Sequence, residues 1–346
     1  MKILIIGGTG NISTPITKTL LSQGHELTLF NHDATPPAWL SGVRVVTGDR
    51  SQRDAFRNKL ADTGAFDCVL DMICYEPEDA ACDIEVFRGR TRQFIFCSTV
   101  DVYTKTPAGY PVTEATAQLG ALPSFPYGHK KMLCEQAMWA AQARGDFALT
   151  VIRPTFTYNE TWSPGIHSFG GQSYHLDRLR KGKPIILHGD GTSLWVATYR
   201  DDTARAFVGA IGNERTFGQA YHLAPDEWMT HNHIWQTIAR LLDAPPPDFV
   251  YIPTLLLGRL APKQAEWCVE NFRHNNVFDA TKAQRDLGFQ YTVRFEEGVR
   301  RCLEYLQAHD LIEDCARHPF YDRIVESWRR MESALVAEFQ ANPLAP

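Results

Sequence analysis

The chain has 346 residues, 44% of them hydrophobic and 22% charged, with a formal net charge of -5. That length allows one large domain or two modest ones. The slightly acidic balance excludes a general nucleic-acid surface, and no apolar run approaches the ~18 residues of a membrane helix. The first strand begins almost at the N-terminus, so no signal peptide is expected ahead of it. Cysteines at 68, 74, 82, 97, 134, 268, 302 and 315 form no CxxC pair. They read as reduced, mostly buried thiols of a cytoplasmic protein, and no metal site is expected.

Ile3 to Ile6 is a β-branched apolar run of the kind a buried parallel strand requires. Gly7-Gly8-Thr9-Gly10-Asn11-Ile12-Ser13 follows at once, and Thr14 to Ser22 then carries Ile16, Leu20 and Leu21 at helical spacing, with Pro15 acceptable in the first turn. Strand, glycine turn and helix together form a dinucleotide cradle. A side chain at Gly7 or Gly10 would keep the backbone from a pyrophosphate, and the helix start offers N–H groups and a positive dipole end. Gly7, Thr9, Gly10, Asn11 and Ile12 are the expected contacts. Ser13 takes the third glycine's place, where tight helix–strand packing is needed.

A second strand, Leu27 to Phe30, ends in Asn31-His32-Asp33. A carboxylate here would bond the ribose of NAD, and an arginine would accept the phosphate of NADP. Asn31 can bond the ribose hydroxyls, and His32 can face a phosphate. The choice between NAD and NADP therefore stays open, with NAD expected to bind at least as well. Asp33 reads as a turn residue before Pro36-Pro37. Val43 to Val46 is a third strand, closed by Gly48-Asp49-Arg50. Asp49 is either an acceptor for the adenine amino group or a cap for the next helix, and Arg50 is grouped with the cofactor residues at this strand end.

Asp67 to Ile73 and Gln93 to Cys97 are the fourth and fifth strands. Strands alternate with helical segments, so the fold class is α/β: a Rossmann-type doubly wound parallel sheet with a smaller, interleaved α/β substrate domain. Ser98 and Thr99 put hydroxyls at the carboxyl end of a central strand, where ligands bind in such sheets. Tyr127 and Lys131 fall one helical turn apart on one face. A free Tyr is a poor base at neutral pH, and a nearby ammonium or nicotinamide cation favours its phenolate.

These residues resemble the short-chain dehydrogenase/reductase superfamily, and within it the extended NAD-dependent epimerase/dehydratase family. The resemblance rests on the glycine turn, Gly48-Asp49, Ser98-Thr99-Val100-Asp101-Val102-Tyr103, Tyr127-Gly128-His129-Lys130-Lys131 and Ile152-Arg153-Pro154-Thr155. His188-Gly189-Asp190-Gly191, Tyr199 to Ala204 and Leu287-Gly288-Phe289 agree, so that residues 1 to 306 are covered. It implies an enzyme with Tyr127 as acid/base, Lys131 on the phenol and the nicotinamide ribose, and Thr99 on the substrate hydroxyl with Ser98 beside it. Met72 and Ile73 would line the cofactor, and Pro154 and Thr155 would lie near the nicotinamide amide.

The departures are informative. The family's dehydratases carry Asp-Glu after the catalytic Thr. Here Val100-Asp101 leaves one carboxylate missing, and Asp101 is either a base or an exposed structural residue. Sugar-nucleotide epimerases place an Arg for the diphosphate shortly after the Gly-Asp-Gly turn. Here Trp195 stands in that region and cannot pair with phosphate.

Asn159 to Gly171 reads as a loop over the substrate side. Trp162, His167 and Tyr174 are each either sugar-stacking or structural. The bases Arg178, Arg180, Lys181 and Lys183 read as a solvated helix end sooner than an anion site. The cofactor domain is expected over residues 1–157 with a returning segment at about 196–218, and the substrate domain and helical tail over 158–346. Thr281 to Leu287 and Phe295 to Gln307 read as helices closing the smaller domain. The tail around Trp328 either covers the active site or packs on a second subunit as a homodimer. The reaction expected is NAD(P)-dependent oxidoreduction or epimerisation at a hydroxyl of a sugar-like small molecule. The alternatives are a simple reductase of a non-nucleotide compound and a non-catalytic dinucleotide sensor or RNA-associated protein.

Overall fold

The computed structural model describes residues 1–32 and 37–341. Asp33 and the start of its turn lie outside them. In chain order the strands are β1 (Lys2–Ile6), β2 (Glu26–Asn31), β3 (Arg44–Thr47), β4 (Phe66–Asp71), β5 (Thr91–Cys97), β6 (Ala148–Pro154), β7 (Phe156–Tyr158), β8 (Ile185–His188), β9 (Leu194–Trp195), β10 (Ala197–Tyr199), β11 (Gln219–Leu223), β12 (Met229–Thr230) and β13 (Phe249–Ile252). The helices are α1 (Ser13–Ser22), α2 (Arg53–Ala61), α3 (Pro77–Phe87), α4 (Pro126–Ala143), α5 (Tyr174–Arg180), α6 (Arg200–Ala210), α7 (His231–Leu241), α8 (Thr254–Leu260), α9 (Thr281–Leu287), α10 (Phe295–Ala308) and α11 (Pro319–Ala341).

The chain divides into two units, one of residues 1–158, 196–228 and 277–295, the other of 159–195, 229–276 and 296 onward. The first holds a seven-stranded sheet in the order β11-β6-β5-β4-β1-β2-β3, a Rossmann-type arrangement. All its ladders are parallel. Both faces are covered, so its strands are apolar without polar alternation. Ile3, Ile5, Leu27, Leu29, Leu70 and Ile95 pack under α1, α6 and α9. Leu4, Ile6, Val69, Phe94 and Phe96 pack under α2, α3 and α4.

The returning segment reaches further than 218. β11 is an edge strand of the central sheet, paired with β6, and a second return brings α9 onto it. Thr281 to Leu287 thus belongs to the sheet unit and not to the smaller one. Its apolar positions Ala283 and Leu287 are too few for their partner to be read from periodicity.

The second unit is built on β8 with β13 and on β9 with β12. Its core is aromatic. Tyr321 receives the Arg178 guanidinium over its ring at 3.8 Å, and Arg178 also donates to the Pro184 carbonyl and to Asp322 at 2.6 Å. Lys181 is paired with Asp177 and Asp314, and Lys183 with Asp322. His167, His175, His188 and His231 are buried in the same unit. The His167 and His175 rings stack at 3.6 Å, and the His188 and His231 rings meet edge to face at 4.4 Å. His167 Nδ1 accepts from the Phe169 N–H, which assigns the ring proton to Nε2, bonded to Tyr321 at 2.9 Å.

Gly209 on α6 is a close-approach position. A Cβ there would lie 2.1 Å from the Leu287 carbonyl oxygen of α9. On a free helix surface Gly→Ala gains ~1 kcal/mol. Gly209→Ala is expected to lose ~1–3 kcal/mol through overpacking, read by urea unfolding; a stabilised variant would contradict the packing.

Burial holds the four histidines below their ordinary value, His188 down to about 4. A depressed histidine contributes stability that is present above pH ~6.5 and lost as pH falls toward the folded value. His188 alone then removes about 2 kcal/mol between pH 6.5 and pH 5. Urea midpoints followed by tryptophan fluorescence should drop over that interval, and equal midpoints would refute it.

Candidate active site

The glycine turn joins β1 to α1. Gly7 has φ +81°, and a Cβ on it would lie 2.7 Å from Ile73 Cγ2. Gly8 is pressed on Leu29 in the same way. A Cβ at Gly10 would meet only Ser13 Oγ at 3.2 Å and the Gly7 carbonyl oxygen at 3.9 Å. Ser13 does more than permit packing. Its hydroxyl accepts from the Gly10 N–H at 2.8 Å and donates to the Gly7 carbonyl at 2.5 Å. Thr17 donates to the Gly8 carbonyl, and Asn11 donates to the Thr157 carbonyl. The helix start has Ile12 at its N-cap and no side-chain cap. An uncapped helix start behind a close-approach glycine suits the phosphates of a dinucleotide.

Asn31 closes the turn from β2. Its Oδ1 accepts from the Gly8 N–H at 2.9 Å, so the carbonyl end of this amide is engaged within the fold. His32 is exposed beside it. Asp49 is exposed, and its Oδ1 accepts from the Ser51 N–H at 2.8 Å, the local turn geometry of the capping alternative.

Arg50 departs from the cofactor role expected of it. Its guanidinium is buried against Asp71 at 2.7 Å and Asp83 at 2.6 Å, and lies over the Phe56 ring at 4.9 Å. Burial raises the Asp83 carboxyl well above the ordinary range despite Arg50. Asp71, Cys74 and Asp83 converge closely enough for a metal ion, but the Arg50 guanidinium is bonded to both carboxylates there. Asp71 Oδ1 also accepts from the Ile73 N–H, which holds Ile73 over Gly7, and the Met72 N–H donates to the Ile6 carbonyl at the end of β1.

Ser98 and Thr99 part company at the end of β5. Ser98 donates inward to Glu135, which also holds Arg153 through two bonds of 2.8 and 2.5 Å. Arg153 donates to the Tyr103 hydroxyl, which lies 2.7 Å from His222 Nε2. Ser98 is therefore committed to a buried network, a departure from its expected place beside the cofactor. Strand alternation turns the next residue the other way, and the Thr99 side chain is close enough to the Tyr127 phenol to favour its ionised form.

Burial raises the Tyr127 phenol above its ordinary value, and the Asp101 carboxylate raises it further. Asp101 is buried and not exposed. Its carboxylate accepts from Thr99 at 3.2 Å and pairs with Lys105 at 2.6 Å. Lys131 is 2% exposed, and its ammonium donates to the Cys97 carbonyl at 2.7 Å under the Tyr75 ring at 4.5 Å. Pro154 ends β6, and Thr155 follows with its hydroxyl on the Leu223 carbonyl. Sequence reasoning missed Lys105, Glu135 and Tyr75. Lys105 carried a signal, since it stands four residues after Asp101.

Residues 3–224 match the profile of the NAD dependent epimerase/dehydratase family. The chain belongs to this family. It is an NAD-dependent enzyme family of epimerases, dehydratases and reductases, and its Rossmann sheet is the one described above. The chain is 26% identical over 282 residues to a 2'-dehydrokanamycin reductase of Streptomyces kanamyceticus, covering 81% of this chain and 77% of that protein. It is 26% identical over 316 residues to the chloroplast stem-loop binding protein of 41 kDa b of Arabidopsis thaliana, covering 86% and 77%. In structure it is similar to UDP-glucuronic acid 4-epimerase from Bacillus cereus in complex with UDP-glucuronic acid and NAD, with TM-score 0.67, 19% identity, and 89% and 100% of the chains covered. No described helix is long and apolar enough to cross a membrane.

For this epimerase/dehydratase family member the Ser13 hydroxyl is the least expected part of the cofactor cradle. Ser13→Ala removes one donor and one acceptor from the turn. NAD affinity by calorimetry should fall about fivefold, the effect of ~1 kcal/mol; an unchanged dissociation constant would show that the turn holds its shape without it.

Proposed function

We propose that the enzyme transfers a hydride between NAD and a carbinol or ketone carbon of a sugar-like small molecule without a nucleotide diphosphate. The observation that carries the reading is that Thr99 and Asp101, at the end of β5, both act on the Tyr127 phenol, with Lys131 one turn further along the same helix. Gly7 to Gly10, the start of α1, Asn31, Met72, Ile73 and Lys131 would hold the dinucleotide, which supplies the hydride acceptor or donor when bound.

Thr99 positions the substrate hydroxyl against the phenol oxygen. Tyr127 takes the hydroxyl proton in oxidation and gives it back in reduction. With its pKa raised by desolvation and by the Asp101 carboxylate, the Tyr127 phenol keeps its proton at neutral pH, which suits donation to the oxygen of a ketone as hydride reaches its carbon. The ammonium of Lys131 and a nicotinamide cation favour the phenolate in the opposite direction. Orientation of the three groups supplies much of the acceleration. Asp101, tied to Lys105, has no second carboxylate beside it at Val100, so this reading excludes the complete dehydratase route.

Two observations support a substrate without a nucleotide. Trp195 stands where sugar-nucleotide epimerases place an arginine, and it is buried against Phe272 at 5.1 Å. A relative that covers most of the chain is named as a reductase of 2'-dehydrokanamycin. His167 and Tyr174 are buried in their own unit, whereas Trp162 is 45% exposed.

Mass spectrometry of cofactor released from the purified protein, followed by a screen of sugars with and without nucleotide, tests the reading. NAD and turnover on free sugars are expected; turnover confined to nucleotide sugars overturns the substrate class. On the active compound Tyr127→Phe should keep NAD affinity and lose kcat by 10²–10⁴-fold. Unchanged turnover removes Tyr127 from the mechanism.

A further inference from the structure

The helix α11 rests on its own unit through Tyr321, Val325 and Trp328, and from Arg329 to Ala341 every residue is exposed. That free stretch is not polar all round. Ile324, Trp328, Met331, Leu335 and Phe339 recur at spacings of three and four, which puts them on one side of the helix. Met331, Leu335, Val336 and Phe339 are each about half exposed, at 50%, 54%, 49% and 50%. A helical segment of this length is marginal in water on its own, and its stability normally comes from packing such a face on a partner.

The same unit also offers a receptor. Between α8 and the first half of α11 lies a groove of about 630 Å³, with Leu260, Ile324 and Trp328 among its apolar walls. The charged residues lining it are Lys263 and Arg323, both basic. Past Arg329, which pairs with Asp248, and Arg330, which bonds Ser327, the charged residues of the helix end are Glu332 and Glu338, both acidic. Tail and groove are thus matched in apolar character and opposite in charge. They sit on one continuous surface, since Trp328 and Met331 belong to the groove and begin the tail's stripe.

We propose that a second copy of this chain covers this face, with the acidic, apolar end of α11 from each copy lying in the basic groove of the other. A two-fold axis makes two identical contacts from one pair of surfaces, as an isologous dimer requires. Leu335 and Phe339 are the anchors, and Glu338 answers Lys263 and Arg323. This contact uses none of the residues on which the proposed reaction rests.

Analytical ultracentrifugation of the full chain at micromolar concentration should find a dimer. Leu335→Asp with Phe339→Asp should give a monomer whose circular dichroism loses at most the helicity of residues 329–341 and whose NAD affinity is unchanged. Glu338→Arg, and separately Lys263→Glu with Arg323→Glu, should each weaken the dimer on the order of tenfold, and combining them in one chain should recover most of the loss. A wild-type monomer, which would leave the face to a partner of another sequence, overturns the proposal. So does a dimer that survives the paired aspartates. A dimer lost with the aspartates but indifferent to both charge reversals overturns the placement in the groove.

Discussion

In a parallel sheet every strand leaves by the same edge, and the chemistry of this protein depends on that constraint. The Gly7 to Ser13 turn, Asn31, Asp71 to Ile73, Ser98 and Thr99, and Pro154 follow or end β1, β2, β4, β5 and β6. Residues remote in sequence therefore meet along one line without any long-range pairing designed for them. Crossover helices close both faces, so water reaches polar groups chiefly at that edge. What remains is to give each polar group there a defined partner.

The partners are mostly buried ions and hydroxyls. Arg50 ties the end of β3 to Asp71 on β4 and Asp83 on α3. Glu135 on α4 ties Ser98 on β5 to Arg153 on β6. Asp202 on α6 receives the N–H groups of Thr292 and Val293. Such pairs add little net stability once desolvation is counted, and losing one partner is costly. Their effect is directional, because each fixes the relative position of two strand ends or of a helix and a loop. A site of the kind proposed, with a phenol, a hydroxyl and an ammonium in register, gains more from that than from further apolar burial.

The glycine turn, the parallel strands and the placement of Tyr127 and Lys131 one turn apart on α4 were legible because each has a local pattern: close approach, β-branched runs, helical spacing. The direction of a strand-end hydroxyl was less legible. Ser98 and Thr99 are adjacent and chemically alike, and only the buried Glu135 decides which faces inward. Arg50 failed for a similar reason. A strand-end arginine can reach outward to a cofactor or inward to carboxylates, and the inward partner Asp83 lies 33 residues away in sequence. Ser13 looked like a lapse from the glycine pattern, yet its two hydrogen bonds are side-chain chemistry that no glycine supplies. The second return of the chain, through α9, was hidden because one short helix gives too little periodicity to name its partner.

Tyr127, Lys131 and Glu135 stand at successive turns on one side of α4. The phenol, the ammonium and the carboxylate anchor therefore move as one rod, clamped at β6 by Arg153. Loss of either partner leaves a buried charge without its counter-ion, so a change at position 135 calls for one at 153 if the Tyr127 end is to keep its place. Divergence toward new substrates is consequently channelled into residues off this rod.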